Sequence, residues 1–177
     1  MARSVYKLEE LDKRYSLLKL GMRVLDLGCH PGSWLQYCAK KVGASGYLLG
    51  VDIQPIELAL PGQVKVMEAD LLQLNAMELN IDVPEYDIVI SDVAPRTTGV
   101  AHADAARSAE LTAKGLSLAG ELLKTNGSFV AKVFWSEDAA GILKDMKQMF
   151  TQAKTSKPTA STSASRETYL VGLGRKK

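Results

Sequence analysis

The sequence predicts an α/β fold: a single doubly wound sheet, mostly parallel, with helices on both faces. Three observations carry that expectation. Short apolar runs at 24–27, 47–51, 64–67, 86–90 and 128–134 alternate with stretches of helical periodicity. The first run lies in RVLDLGCHPGSW (residues 23–34), where it breaks into a glycine-bearing turn and opens a helix at once. Asp26, Asp52, Asp70 and Asp92 each stand at the end of such a run, the edge where parallel sheets bind ligands.

At 177 residues and 46% apolar content, the chain is sized for one domain, residues 1–177, with a real core. No apolar run reaches membrane-spanning length, so no membrane partner is expected. The first residues lack a signal-peptide pattern, and a cytoplasmic location is expected. Cys29 and Cys38 have no metal-ligand spacing around them, so they read as packed, reduced thiols and no metal is expected. The net charge of +2 hides a strong asymmetry: between Gly50 and Asp92 nine acids face Lys65 alone. Basic residues gather at both ends (Lys7, Lys13, Arg14 and Lys19; Lys144, Lys147, Lys154, Lys157, Arg166, Arg175, Lys176 and Lys177). If the two ends share a face, that face suits a polyanion such as RNA; solvated helix faces and a basic tail are the alternative.

In chain order, residues 1–20 have a helical stripe of Val5, Leu8, Leu11, Tyr15 and Leu18, with Ser4 as a possible cap and Lys7 at the stripe's edge. After the first strand, Gly28 and Gly32 let the backbone approach a ligand, Pro31 stiffens the turn, and Ser33 is the expected N-cap. A dinucleotide fingerprint would need glycines where His30 and Ser33 stand, and a P-loop would need Lys after Gly32. The stretch fits the glycine-rich loop of S-adenosylmethionine-dependent methyltransferases better than either. A helix at 35–42, strands at 47–51 and 64–67, a short helix at 71–79 and a strand at 86–90 follow.

Residues 93–99 form a loop able to cover the site, and 104–123 a long helix stopped by Asn126-Gly127. Lys132 sits inside the apolar strand SFVAKVF, where an ammonium is costly unless paired or neutralised. A last helix at 137–150 precedes strands at 152–157 and 168–173. With no helix between them, these pair as an antiparallel hairpin across a small-residue, mobile loop at 158–166. Asp52 is placed to accept from the two hydroxyls of a ribose and Asp70 from an adenine amino group; turn and cap preference is the competing account.

Taken together, SVYKLEELDKRY, VLDLGCHPGSW, GVDI, EAD, SDVAPRTTG, AKVF and SRETYLV resemble the FtsJ-like (RrmJ-type) ribose 2′-O-methyltransferases across essentially the whole chain. The resemblance implies a Rossmann-like S-adenosylmethionine-dependent methyltransferase fold, seven-stranded, with the last strand antiparallel. It implies a Lys-Asp-Lys-Glu tetrad at Lys7, Asp92, Lys132 and Glu167, with Lys132 as proton acceptor. It places cofactor contacts at Gly28, Pro31, Gly32, Trp34, Asp52, Asp70 and Asp92. The implied substrate is a uridine of 23S ribosomal RNA, presented within the 50S subunit, and a monomeric enzyme is expected.

Lys132 would take the ribose proton as a neutral amine, favoured by desolvation and the charge of Lys7, or would stay charged and stabilise the developing alkoxide. Three departures from the family stand out. Few residues precede Lys7, where the family usually carries a basic extension; either RNA affinity is weakened or the sequence is a truncated one. Cys29-His30 replaces small residues, and an arginine common near Ser161-Thr162 is missing. A methyltransferase acting on another target and a catalytically silent RNA-binding module are the competing functions; the intact tetrad argues against silence.

Overall fold

The computed structural model describes residues 3–159 and 166–177. Its strands are β1 (Arg23–Leu27), β2 (Tyr47–Asp52), β3 (Val64–Glu68), β4 (Tyr86–Ser91), β5 (Leu123–Phe134), β6 (Phe150–Ser156) and β7 (Glu167–Arg175). They form one sheet in the order β3-β2-β1-β4-β5-β7-β6. The first five pair in parallel, and β7 runs antiparallel to both of its neighbours, β5 and β6. From β1 the chain steps outward to β2 and β3, then crosses back to β4 on the other side of β1. That reversal opens a crevice above the carboxyl ends of β1 and β4.

Alternation along the pleat divides the apolar residues between two layers. Val24, Leu48, Ile88, Ile90, Val130 and Tyr169 face α1 (Arg3–Tyr15) and α2 (Ser33–Val42). Leu25, Leu27, Val89, Phe129, Ala131 and Val133 face α4 (Ala101–Leu122) and α5 (Glu137–Met149). A one-turn helix, α3 (Ala76–Leu79), is capped by Asn75 and Glu78 reciprocally. β4, central and covered on both faces, is buried at every position. Among the described residues, no helix is long and apolar enough to cross a membrane.

Several local expectations change. The first helix ends at Tyr15 instead of continuing to residue 20, because the buried Asp12 intervenes. Its Oδ1 accepts from Leu18 N at 2.9 Å, and Ser16 turns to φ 53°. The other carboxylate oxygen takes the Tyr37 hydroxyl at 2.8 Å and lies 3.2 Å from Lys41 Nζ, locking α1 to α2. The N-cap of α2 is Gly32 at φ 104°, with Ser33 as the first helical residue, since only the glycine tolerates that left-handed backbone.

Asn126-Gly127 does not stop α4, which ends at Leu122 and runs directly into β5. The turn instead interrupts the β4–β5 ladder, whose register jumps from Leu123 to Ser128. The terminal basic residues divide between faces. Arg14 reaches Ser156 Oγ at 3.0 Å, and Lys154 lies over the Tyr15 ring, on the α1 side. Lys144 and Lys147 belong to α5 on the opposite face, where Lys176 bonds the Lys147 and Gln148 carbonyls. Of the connection expected to be mobile, residues 160–165, including Ser161-Thr162, lie outside the described residues.

Candidate active site

The carboxyl ends of β1, β2 and β4 open onto a cavity of about 480 Å³ whose walls include Gly28, Asp52, Asp70, Asp92 and Lys132. Backbone bonds prolong the strands into its rim: Gly28 N donates to Val51 O at 2.8 Å and Asp92 N to Leu27 O at 3.2 Å. Gly28 has φ 79°, and a Cβ there would stand 2.6 Å from Val93 Cα, so the loop can close against Val93 only as glycine. Val93 to Arg96, expected to cover the site, do line it. They are anchored by Asp104 at the start of α4, which accepts from Thr98 N, Thr98 Oγ1 and Gly99 N at 2.8–3.2 Å. Those bonds, led by the Thr98 amide, hold the Asp104 carboxyl below its ordinary range.

Three of the four strand-end acids, Asp52, Asp70 and Asp92, share one rim, and Asp26 does not. Asp52 and Asp70 border the cavity, and both also shape the backbone. Asp52 accepts from His30 N and Gln54 N, each at 2.9 Å, and Asp70 caps the turn Leu71–Gln73 through Leu72 N at 3.0 Å. Capping and ligand accessibility thus coexist, because each carboxylate oxygen has a second lone pair. Asp26 departs from the expectation: it is fully buried beneath the rim, and neither of its oxygens has a hydrogen-bond partner. Burial first, then the charges of Asp92 and Asp52, push its carboxyl well above the ordinary range. Cys29 and Cys38 are buried, with thiols pushed up mainly by burial, as inert packing residues should be.

Lys132, nearly buried in β5, turns its ammonium onto Asp92, with Nζ 2.7 Å from the Asp92 carbonyl and 3.1 Å from Oδ1. That pairing answers the cost of placing a lysine inside an apolar strand. The Tyr169 hydroxyl donates to the same Oδ1 at 2.9 Å; Tyr169 stands opposite Lys132 in the β5–β7 ladder. Burial and the neighbouring Asp92 charge push the Tyr169 phenol up, so it remains a donor. Two residues along β7, and hence on the same face, Glu167 Oε2 meets Lys7 Nζ at 2.5 Å across 160 residues of sequence. The four tetrad side chains therefore form two ion pairs on one face of the sheet.

Pro31, Gly32 and Trp34 are not among the cavity's wall residues. The Trp34 indole is buried between α1 and β7: its Nε1 donates to Ser4 O at 3.0 Å, and its ring stacks on Tyr169 at 6.2 Å between centroids. Position 34 has only its first-turn backbone N–H to offer a ligand. Tyr169 itself escaped the reading of the sequence. The signal was available, since in SRETYLV it follows Glu167 by two residues and so shares its face.

The model of the FtsJ-like methyltransferases matches residues 1–175. The chain belongs to that family. A ribosomal RNA large subunit methyltransferase E from Oleidesulfovibrio alaskensis is 46% identical over 177 residues, covering 99% of this chain and 86% of that relative. A protein of the same name from Bdellovibrio bacteriovorus is 44% identical over 178 residues, covering 99% and 90%. Among solved structures, a Plasmodium falciparum protein assigned as a ribosomal RNA methyltransferase superposes with a TM-score of 0.85 at 26% identity, covering 98% of this chain and 97% of that one. The sheet order and its antiparallel β7 are those of a Rossmann-like methyltransferase, and S-adenosylmethionine is the methyl donor of this FtsJ-like enzyme. The cavity fits such a donor: a close glycine turn, two carboxylates with lone pairs to spare, and an acidic border compatible with a cation.

Proposed function

We propose that this FtsJ-like methyltransferase methylates the 2′-hydroxyl of a ribose, that of a uridine in 23S ribosomal RNA within the 50S subunit, acting as a monomer in the cytoplasm. The observation that carries the reading is the Lys132–Asp92 pair on the cavity wall, with Lys7–Glu167 beside it on the same face. The names of the curated relatives supply the ribosomal RNA of the large subunit.

When bound, S-adenosylmethionine supplies an electrophilic methyl group on a sulfonium. Asp52 would accept from its ribose hydroxyls and Asp70 from its adenine amino group. Gly28, Pro31, Gly32 and the backbone at Trp34 would shape the loop around it. The chain's remaining task is to hold the acceptor hydroxyl in line and to make the loss of its proton favourable. Lys132 is the group placed for that task. In the resting arrangement both of its partners are Asp92 oxygens, so Nζ serves as a donor.

That arrangement favours the version in which a charged Lys132 stabilises the developing alkoxide and solvent takes the proton. The other version has Lys132 release a proton first and then accept that of the ribose. Asp92, held by Tyr169, fixes the Lys132 amine. Lys7, fixed by Glu167, orients the acceptor ribose. The test is transfer of labelled methyl from S-adenosylmethionine to undermodified 50S subunits, with mapping of the modified nucleotide. A 2′-O-methyluridine in 23S ribosomal RNA is expected; label on a base, on protein or nowhere would refute the reading.

A further inference from the structure

A second cavity, of about 520 Å³, adjoins the tetrad and is lined by Trp135, Thr155, Lys157, Arg166, Glu167 and Thr168. We propose that Trp135 in this cavity is the stacking platform for a base flanking the acceptor nucleotide, while Arg166 and Lys157 hold the adjoining phosphates. This rests on the reading of the acceptor as RNA.

Trp135 is the first residue beyond β5, three positions after Lys132. Its backbone N donates to Arg166 O at 3.1 Å, which fastens the end of β5 to the start of β7. The backbone is thus pinned, yet Trp135 is 48% exposed, whereas the chain's other tryptophan, Trp34, is 3% exposed. The ring, half in water on a pinned backbone, offers a flat face that a base can cover. Lys157 and Arg166 are exposed beside it. An aromatic face flanked by cations is the combination with which proteins grip single-stranded nucleic acid: the ring takes a base, and the cations take the backbone. Glu167 lines this cavity and also bonds Lys7, while Phe134 is its partner in the sheet, so the platform is continuous with the tetrad. A nucleotide seated on Trp135 is therefore a near neighbour of the ribose presented to Lys132. The volume falls in the range of sites for compact ligands.

The test uses the full chain with Trp135→Ala and Trp135→Phe, thermal unfolding and S-adenosylmethionine affinity serving as controls. With undermodified 50S subunits, Trp135→Ala should raise KM roughly five- to 150-fold, the cost of one base–aromatic stack. Its kcat and cofactor affinity should be retained, and Trp135→Phe should recover most of the loss. A short single-stranded uridine-rich RNA should quench the fluorescence of the wild-type chain, less so when one base is removed, and should leave Trp135→Phe unquenched because Trp34 is buried. An unchanged KM in Trp135→Ala, quenching indifferent to the missing base, or a parallel fall of kcat and cofactor affinity would overturn the proposal. Failure of the wild-type chain to methylate 50S subunits while base-dependent quenching persists would remove the assigned acceptor and keep the platform. Methylation with no quenching would do the reverse.

Discussion

Replacing Trp34 with phenylalanine separates two accounts of that position. The family pattern places a cofactor contact there, whereas the indole lies buried away from the cavity, tying the first turn of α1 to Tyr169 of β7. Trp34→Phe deletes the Nε1–H bond to Ser4 O, worth about 1 kcal/mol, and leaves a small void costing about 1–2 kcal/mol more. For a chain of 177 residues, a loss of about 2–3 kcal/mol lowers Tm by roughly 4–12 °C. Calorimetry or circular dichroism reads that shift, and isothermal titration reads S-adenosylmethionine binding, which should stay within about twofold because the backbone N–H is unchanged. Methyl transfer should fall more than cofactor affinity, since loosening the first turn of α1 displaces Lys7. A Tm equal to wild type together with a tenfold or greater loss of cofactor affinity would refute the reasoning.

Other perturbations probe neighbouring parts of the site. Asp26 carries a carboxyl raised chiefly by burial, so the folded chain keeps a proton that the unfolded chain releases above the ordinary carboxylate range. Unfolding free energy should therefore fall as pH rises from that range towards the folded value, by up to about 1.4 kcal/mol per pH unit. In urea titrations of the cofactor-free chain over several pH values, Asp26→Asn should flatten that slope; an unchanged slope would mean Asp26 is not its source. Gly28→Ala forces a Cβ to 2.6 Å from Val93 Cα at φ 79°. It should cost roughly 2–4 kcal/mol and weaken cofactor binding, which chemical denaturation and titration would show. Glu167→Gln removes the carboxylate from a half-buried ion pair with Lys7. Its stability should fall by about 1–3 kcal/mol, while single-turnover methylation falls about tenfold or more; equal activity would strip the pair of its orienting role.

The order of strands and helices was legible because each element closes on local chemistry: apolar runs ending in aspartate or glycine, and a glycine turn opening α2. Lys132 was legible for a related reason, a charge inside SFVAKVF that demanded a partner. What escaped depends on contacts between distant segments. Burial of Trp34 requires α1 to dock beside it, and nothing within residues 23–34 reports that. The end of α1 is set by Asp12 capturing Leu18 N and Tyr37, and the local apolar spacing conceals that competition. Asp26 reads like the other strand-end acids, yet it lies one residue inside β1 and points to the α2 face, where the sheet buries it. Alternation along β7 could have revealed Tyr169, had Glu167 been used to set the phase.

The central claim is that Lys132 activates the acceptor hydroxyl, either by stabilising the developing alkoxide as a charged group or by taking its proton as a neutral amine. Single-turnover transfer of labelled methyl to undermodified 50S subunits, measured across pH for wild type, Lys132→Ala and Lys132→Arg, tests it most directly. The account predicts a loss of at least about 100-fold in Lys132→Ala with cofactor affinity retained. Partial activity in Lys132→Arg would mark the charged form as the working one, and inactivity the neutral form. Wild-type rates in Lys132→Ala would contradict the account outright.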